Sequence, residues 1–191
     1  MKPAPTAKNQ LLHTAARLFY EHGYRAIGVD TIAAESGIGK MTLYRHFASK
    51  DDLIVAFLRY SNDVFWEIFE HSTRAAATPR GQLLAFFEAL QAQVTSPVSH
   101  GCPFLNLSTE YPETHYAGHQ VALENKQAVR ARFAQLAQAA GAQAPEVLAD
   151  ALLLLMDGAY MSARMFGGAP HIPGASVAAA ARCLIEAQCA A

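Results

Sequence analysis

Five side chains between positions 40 and 46 can each donate a hydrogen bond: Lys40, Thr42, Tyr44, Arg45 and His46. No acid interrupts them. A face made only of donors suits phosphate oxygens and the acceptor edges of bases. Between them, Leu43 and Phe47 lie four apart and share the opposite face of a short helix over about Lys40 to Phe47. Lys40 and Met41 open that helix and Arg45 follows one turn on, so these three are expected at base edges. Lys50, at the start of the next helix, adds a positive charge where free backbone amides already favour phosphate.

These side chains need a partner helix to present them. Ile32, Ala33 and Ile38 are apolar, and Gly37 supplies the left-handed backbone that ends one helix before the next begins. Two helices around a Gly turn, the second with a donor face, form the helix-turn-helix arrangement that enters the major groove. Thr6 caps a first helix over Ala7 to His22, with an apolar stripe of Leu12, Ala15, Ala16 and Phe19, and Gly23 ends it. The second helix begins near Val29 behind Gly28. Ser49 and Asp52 form a capping box for the fourth, over Lys50 to about Ala75, with a seam of Leu53, Phe57, Val64, Ile68 and Phe69. At 1.5 Å per residue this helix is about 39 Å long, enough to join two domains.

The run Thr42-Leu43-Tyr44-x-His46-Phe47-x-Ser49-Lys50, with Ala16, Leu18-Phe19, Gly23-Tyr24, Ile32-Ala33, Gly37 and Leu53, resembles the DNA-binding domain of TetR-family transcriptional repressors over residues 10 to 55. The resemblance implies phosphate contacts from Thr42, Tyr44 and His46. It also implies a homodimer through the last two helices, packed as a four-helix bundle. Gly28 departs from the family, which more often has Ser or Thr there.

Beyond residue 75 the pattern stays helical, with no strand alternation and no repeat. Further helices are expected from Pro79 to before Pro97, from Cys102 or Pro103, from Tyr116 to Ala140, from Pro145 to Phe166 and from Ala175 to Cys189. The segment after Cys102 resembles one found in a branch of the same family. The fold class is therefore all-α, about nine helices, with a DNA-binding domain over 1–49 and a ligand-binding and dimerisation domain over 50–191. Residues 1–6 are expected as a flexible arm, and Gly167-Gly168 with Pro170 to Gly174 as a loop.

A helical body can enclose an apolar cavity with a few polar groups. Trp66, Phe69, Phe86, Phe104, Phe133 and Tyr160 are the aromatic candidates for a ligand, with Asn106 or Glu110 to orient it. Any one aromatic also fits a packed core. The eighth helix is apolar almost all round, which predicts burial, and small residues on the last two helices permit close approach. Leu155, Gly158, Ser162, Ala178, Ala181 and Ile185 are the expected dimer interface.

The net charge of −1 conceals an asymmetry. Residues 1–50 hold seven Lys and Arg against three acids, whereas residues 51–191 hold eight against thirteen. A basic head on an acidic body fits a head that meets phosphate. Cys102, Cys183 and Cys189 are an odd number without metal spacing and suit a reducing compartment. His115 and His119 have the spacing of helical metal ligands but no third partner, so neither metal nor cofactor is expected. No nucleophile elbow, phosphate loop or acid pair points to an enzyme. No apolar run spans a membrane, no signal pattern opens the chain, and the cytoplasm is expected. The reading is a repressor of transcription, bound to double-stranded operator DNA as a homodimer and released by a small, largely apolar effector. The alternatives are a ligand-free DNA-binding protein of the same fold, architectural or protein-partnered, and a thiol sensor using Cys102.

Overall fold

The computed structural model describes residues 6–167, 169 and 171–189. Most of the expected arm, together with Gly168 and Pro170 of the expected loop, lies outside them. Among the described residues nine α-helices follow in order: α1 Ala7–His22, α2 Val29–Ser36, α3 Lys40–His46, α4 Lys50–Thr73, α5 Pro79–Val94, α6 Pro103–Glu110, α7 Ala117–Ala139, α8 Pro145–Phe166 and α9 Val177–Gln188. A 3-10 turn over Pro173–Ser176 precedes α9, so the α-helix begins at Val177 and not at the expected Ala175. Among the described residues there is no strand, only an isolated bridge between Ala142 and Cys189. None of their helices is long and apolar enough to cross a membrane.

Helix ends follow local chemistry. The Thr6 hydroxyl accepts the Asn9 N–H at 3.3 Å, and Thr78 accepts that of Gly81 at 3.1 Å ahead of Pro79. Gly37 ends α2 at φ 68°, the left-handed region that turns the chain into α3. Ser49 Oγ accepts the Asp52 N–H at 3.0 Å and donates to the Asp52 carboxylate at 2.8 Å. The reciprocal half of that box is thus a side-chain contact rather than a backbone one.

The chain divides into two compact units. The head comprises residues up to Asp63 together with Pro103–Leu123, and the body comprises Val64–Cys102 and the chain from Glu124 onward. This differs from a single boundary at 49/50, because α4 and α7 each contribute to both units and α6 belongs to the head.

In the head, α1, α2 and α3 pack pairwise around Leu11, Ala15, Ile32 and Leu43, all fully buried. The α1 stripe is Leu11, Ala15, Leu18 and Phe19 rather than Leu12 and Ala16, which are half-buried. Phe19, Tyr24 and Phe57 meet ring to ring, with centroids 5.5 to 6.0 Å apart. In the body, α5 packs on α8 and α9, which also pack on each other. Phe69, Phe86, Phe87 and Phe133 form its aromatic core, with Phe69 and Phe86 centroids 4.9 Å apart and Phe86 and Phe133 5.4 Å apart. On α4, Ile68 is exposed, while Ile54 and Leu58 are buried with Leu53 and Phe57.

Candidate nucleic-acid interface

Two turns of helix settle where the donor side chains go. Leu43 is fully buried and Phe47 nearly so, anchoring α3 to α1 and α2. Burying each such side chain contributes about 1.5–3 kcal/mol. With that face fixed, Lys40, Met41, Tyr44, Arg45 and His46 are left exposed, and Thr42 is half-buried. Met41 is 84 % exposed, far more than an apolar residue at a core position. Within the described head, packing therefore does not account for Tyr44, at 40 % exposure, or for His46.

Lys40 Nζ lies 2.8 Å from Asp30 Oδ1, a pair between the first turns of α2 and α3. That carboxylate, by hydrogen bond and charge, raises the Lys40 pKa above its ordinary value. Glu35 faces Arg17 at 2.8 Å. Lys50 sits half-buried at the start of α4, where burial lowers its pKa against the opposing pull of Asp51 and Glu110. Gly28 and Gly39 precede α2 and α3 with no side-chain cap, leaving backbone N–H groups at both helix starts.

The ligand candidates fall into both units. Phe69, Phe86 and Phe133 are 1 %, 3 % and 0 % exposed and fill the body core against one another. Trp66 is half-buried, edge-on to Phe65 with centroids 5.3 Å apart. The Tyr160 hydroxyl donates to Gln93 Oε1 at 3.1 Å. Phe104, Asn106 and Glu110 belong to the head, with Phe104 buried and Asn106 half-buried. Both oxygens of Glu110 are engaged by backbone amides of the turn after α1, so its carboxylate is already bound within the protein. Cys102 is 3 % exposed, with Lys126 Nζ 3.7 Å from its sulfur, and Lys126 is itself paired with Asp157. His115 precedes α7, so helical spacing does not apply to it, and His119 Nδ1 lies 3.2 Å from the Tyr111 carbonyl oxygen.

The expected dimer residues separate by burial. Leu155 and Ser162 are half-buried and Gly158 is exposed. Together with Leu154, Val177 and Ala180 they line an apolar groove of about 230 Å³. Ala178 is half-buried, its N–H donating to Gln91 Oε1. Ala181 and Ile185 are fully buried in their own chain and have no surface left for a partner. What the sequence reading missed is on α8, which is not buried all round. Val147, Leu154, Met161 and Met165 are exposed, at 63 %, 73 %, 38 % and 77 %.

Residues 11–57 match the family described as bacterial regulatory proteins, tetR family, and residues 79–178 match the tetracyclin repressor-like C-terminal domain. The chain is 36 % identical over 87 residues to the transcriptional activator FasR of Mycolicibacterium smegmatis, covering 46 % of this chain and 40 % of that protein. It is 35 % identical over 88 residues to the transcriptional repressor KstR2 of Mycobacterium tuberculosis, covering 44 % of each. The matched regions thus span less than half the length of these two curated relatives. Along nearly the whole chain it is similar to a solved TetR-family transcriptional regulator from Streptomyces coelicolor, with 29 % identity, a TM-score of 0.84, and coverage of 93 % of this chain and 91 % of that one. With an exposed donor helix in the head, a helical second unit and these two family matches, the chain belongs to the TetR family of transcriptional regulators.

Proposed function

We propose that this regulator binds operator DNA as a homodimer and that a small, largely apolar molecule releases it. The exposed donor face of α3 carries this reading. Lys40, Met41 and Arg45 read base edges, while Thr42, Tyr44, His46 and Lys50 hold phosphates. One of the two relatives is an activator and the other a repressor, so likeness to them does not carry the sign of regulation. Repression is the sign we propose, with the cytoplasm as its place of action.

The dimer reading rests on α8. Val147, Ala151, Leu154, Gly158, Met161 and Met165 repeat at alternating spacings of four and three, the seam of a helix that packs lengthwise on another. An exposed apolar stripe of this kind calls for a partner surface, and a second copy supplies one with two-fold symmetry. Leu155, Ser162 and Ala178 flank the seam.

For the effector, Trp66 and Tyr160, both in the body, are the side chains we retain as contacts, and Phe104 and Asn106, which belong to the head, are set aside. Phe69, Phe86 and Phe133 back them as core, and Glu110 is removed from the set. Helix α4 is the proposed lever, because it contributes to both units. An effector shifts the head only if it binds the released state better than the operator-bound one.

Selection of the full chain against randomised duplexes tests the reading. The expected outcome is an enriched palindrome whose half-site centres lie about 34–36 Å apart, or a multiple of that. Fluorescence of Trp66, the single tryptophan, then reports apolar compounds titrated with and without that duplex. Operator should weaken effector binding about 5- to 150-fold. No enriched duplex would overturn the DNA reading, and identical effector affinity in both conditions would leave a DNA-binding protein without induction.

A further inference from the structure

Helix α1 leaves its last turn through Gly23, at φ 91°. The space that a Cβ would occupy there is taken, since Glu110 Oε1 lies 2.7 Å from that point. The same Oε1 accepts the Tyr24 N–H at 3.0 Å, and Oε2 accepts the Arg25 N–H at 2.7 Å. One carboxylate, 86 residues away in sequence from Tyr24, therefore caps two consecutive amides of the turn between α1 and α2.

Other links lie on either side of it. Tyr24, 1 % exposed, donates its hydroxyl to the Pro103 carbonyl at 2.8 Å. The Arg25 guanidinium lies 4.8 Å above the Tyr111 ring, which stacks on Tyr116 at 4.5 Å and 11°. The Tyr116 hydroxyl in turn donates to Asp51 Oδ1 at 3.0 Å. The segment from Pro103 to Tyr116 is thus fastened to the turn before α2 and to the first turn of α4, the two ends of the helix-turn-helix.

The core of the helix-turn-helix does not need this fastening. Leu11, Ala15, Ile32 and Leu43 are fully buried among α1, α2 and α3. Arg25 is exposed, and water could satisfy its amide. What the carboxylate adds is a fixed direction for the turn that carries α2 and α3. The segment joins the body through the peptide bonds 102–103 and 123–124, and α4 crosses at 63–64. The head is therefore held by three chain crossings, and a rearrangement at either of the first two reaches Glu110 through the chain itself.

We propose that Glu110 is a positioning residue for operator binding: through its grip on the Tyr24 and Arg25 amides, the Pro103–Tyr116 segment holds the turn that carries α2 and α3 in its DNA-binding direction, and loss of that grip frees this turn within the head. The inference rests on the DNA reading above. It makes α6 part of the moving head, whereas a lever of α4 alone leaves α6 without a role.

The test uses the full chain and Glu110→Ala, with the duplex selected by the parent and a duplex carrying one half-site. Amide hydrogen exchange is followed at Tyr24, Arg25 and the buried stripe of α1. The variant should bind the two-site duplex at least about tenfold more weakly and the single half-site within about threefold of the parent, because only two-site binding needs both heads pre-aimed. The two turn amides should exchange faster while α1 is unchanged. Equal loss on both duplexes, with faster exchange throughout α1, would show a fold stabiliser and overturn the proposal, as would no loss on either. Should Glu110→Ala fail to fold, Glu110→Gln keeps the side-chain length but replaces one accepting oxygen with an NH2 group that cannot accept an amide N–H, and must lower the same two-site to one-site ratio; an unchanged ratio overturns the proposal. If the parent itself enriches no duplex, the DNA reading fails first, in an arm that contains no variant, and this inference falls with it.

Discussion

Helix α3 and the aromatic core of the body answer the same question in opposite ways. On α3, Lys40, Met41, Tyr44, Arg45 and His46 stand exposed although Met41 and Tyr44 could have been buried. In the body, Phe69, Phe86 and Phe133 are packed on each other although a ligand site could have left them open. A DNA-reading surface must keep its side chains out of the core, so their type and spacing reveal it. A cavity is made by the side chains that do not meet, and that depends on elements far apart in sequence. Exposed donors are therefore better evidence of function than buried aromatics, whose packing already explains them.

The sharpest way to break this contrast is in the body. Phe133→Ala should cost about 3–5 kcal/mol of stability, as expected for a large ring removed from a filled core. Urea unfolding would measure it. A loss near zero with weakened effector binding would return Phe133 to the ligand set. Next in size is the α8 seam. Leu154→Glu should place two carboxylates at a dimer interface, cost about 2–4 kcal/mol of association, and give monomers by light scattering. A parent that is already monomeric at micromolar concentration would remove the seam argument.

Within the head the expected effects are smaller and differ in kind. Lys50→Ala should weaken all duplexes alike and reduce the slope of log affinity against log salt by about 1. Asp30→Asn should leave stability nearly unchanged, since the Lys40–Asp30 pair is exposed. By freeing the Lys40 ammonium and removing a negative charge, it should raise affinity for unrelated duplexes and steepen the salt slope by about 1. Fluorescence anisotropy at several salt concentrations checks both. An unchanged slope in Asp30→Asn would place this pair away from the phosphates.

Helix boundaries were legible because caps are local. Thr6, Gly23, Gly37, Pro79 and Pro145 each mark a terminus that the chain adopts. Which face a helix buries was less legible where apolar residues are adjacent. Leu11-Leu12 and Ala15-Ala16 allow two overlapping stripes, and only packing against α2 and α3 selects Leu11. Ala181 and Ile185 illustrate the same limit, since small and apolar residues suit a partner copy and an internal neighbour equally. Glu110 was legible only as a polar group that could orient a ligand. Its partners are the amides of Tyr24 and Arg25, and no periodicity links positions so distant in the chain.

The most direct test of the central claim compares the parent with Arg45→Ala on the selected duplex and on a shuffled duplex of equal length, at one fixed salt concentration. The account predicts that the parent prefers the selected duplex by about 10³-fold or more. Arg45→Ala should lose about 1–3 kcal/mol of that preference while binding the shuffled duplex much as the parent does. Equal affinity of the parent for both duplexes, or a variant with undiminished preference, would contradict the assignment of the exposed face of α3 to base reading.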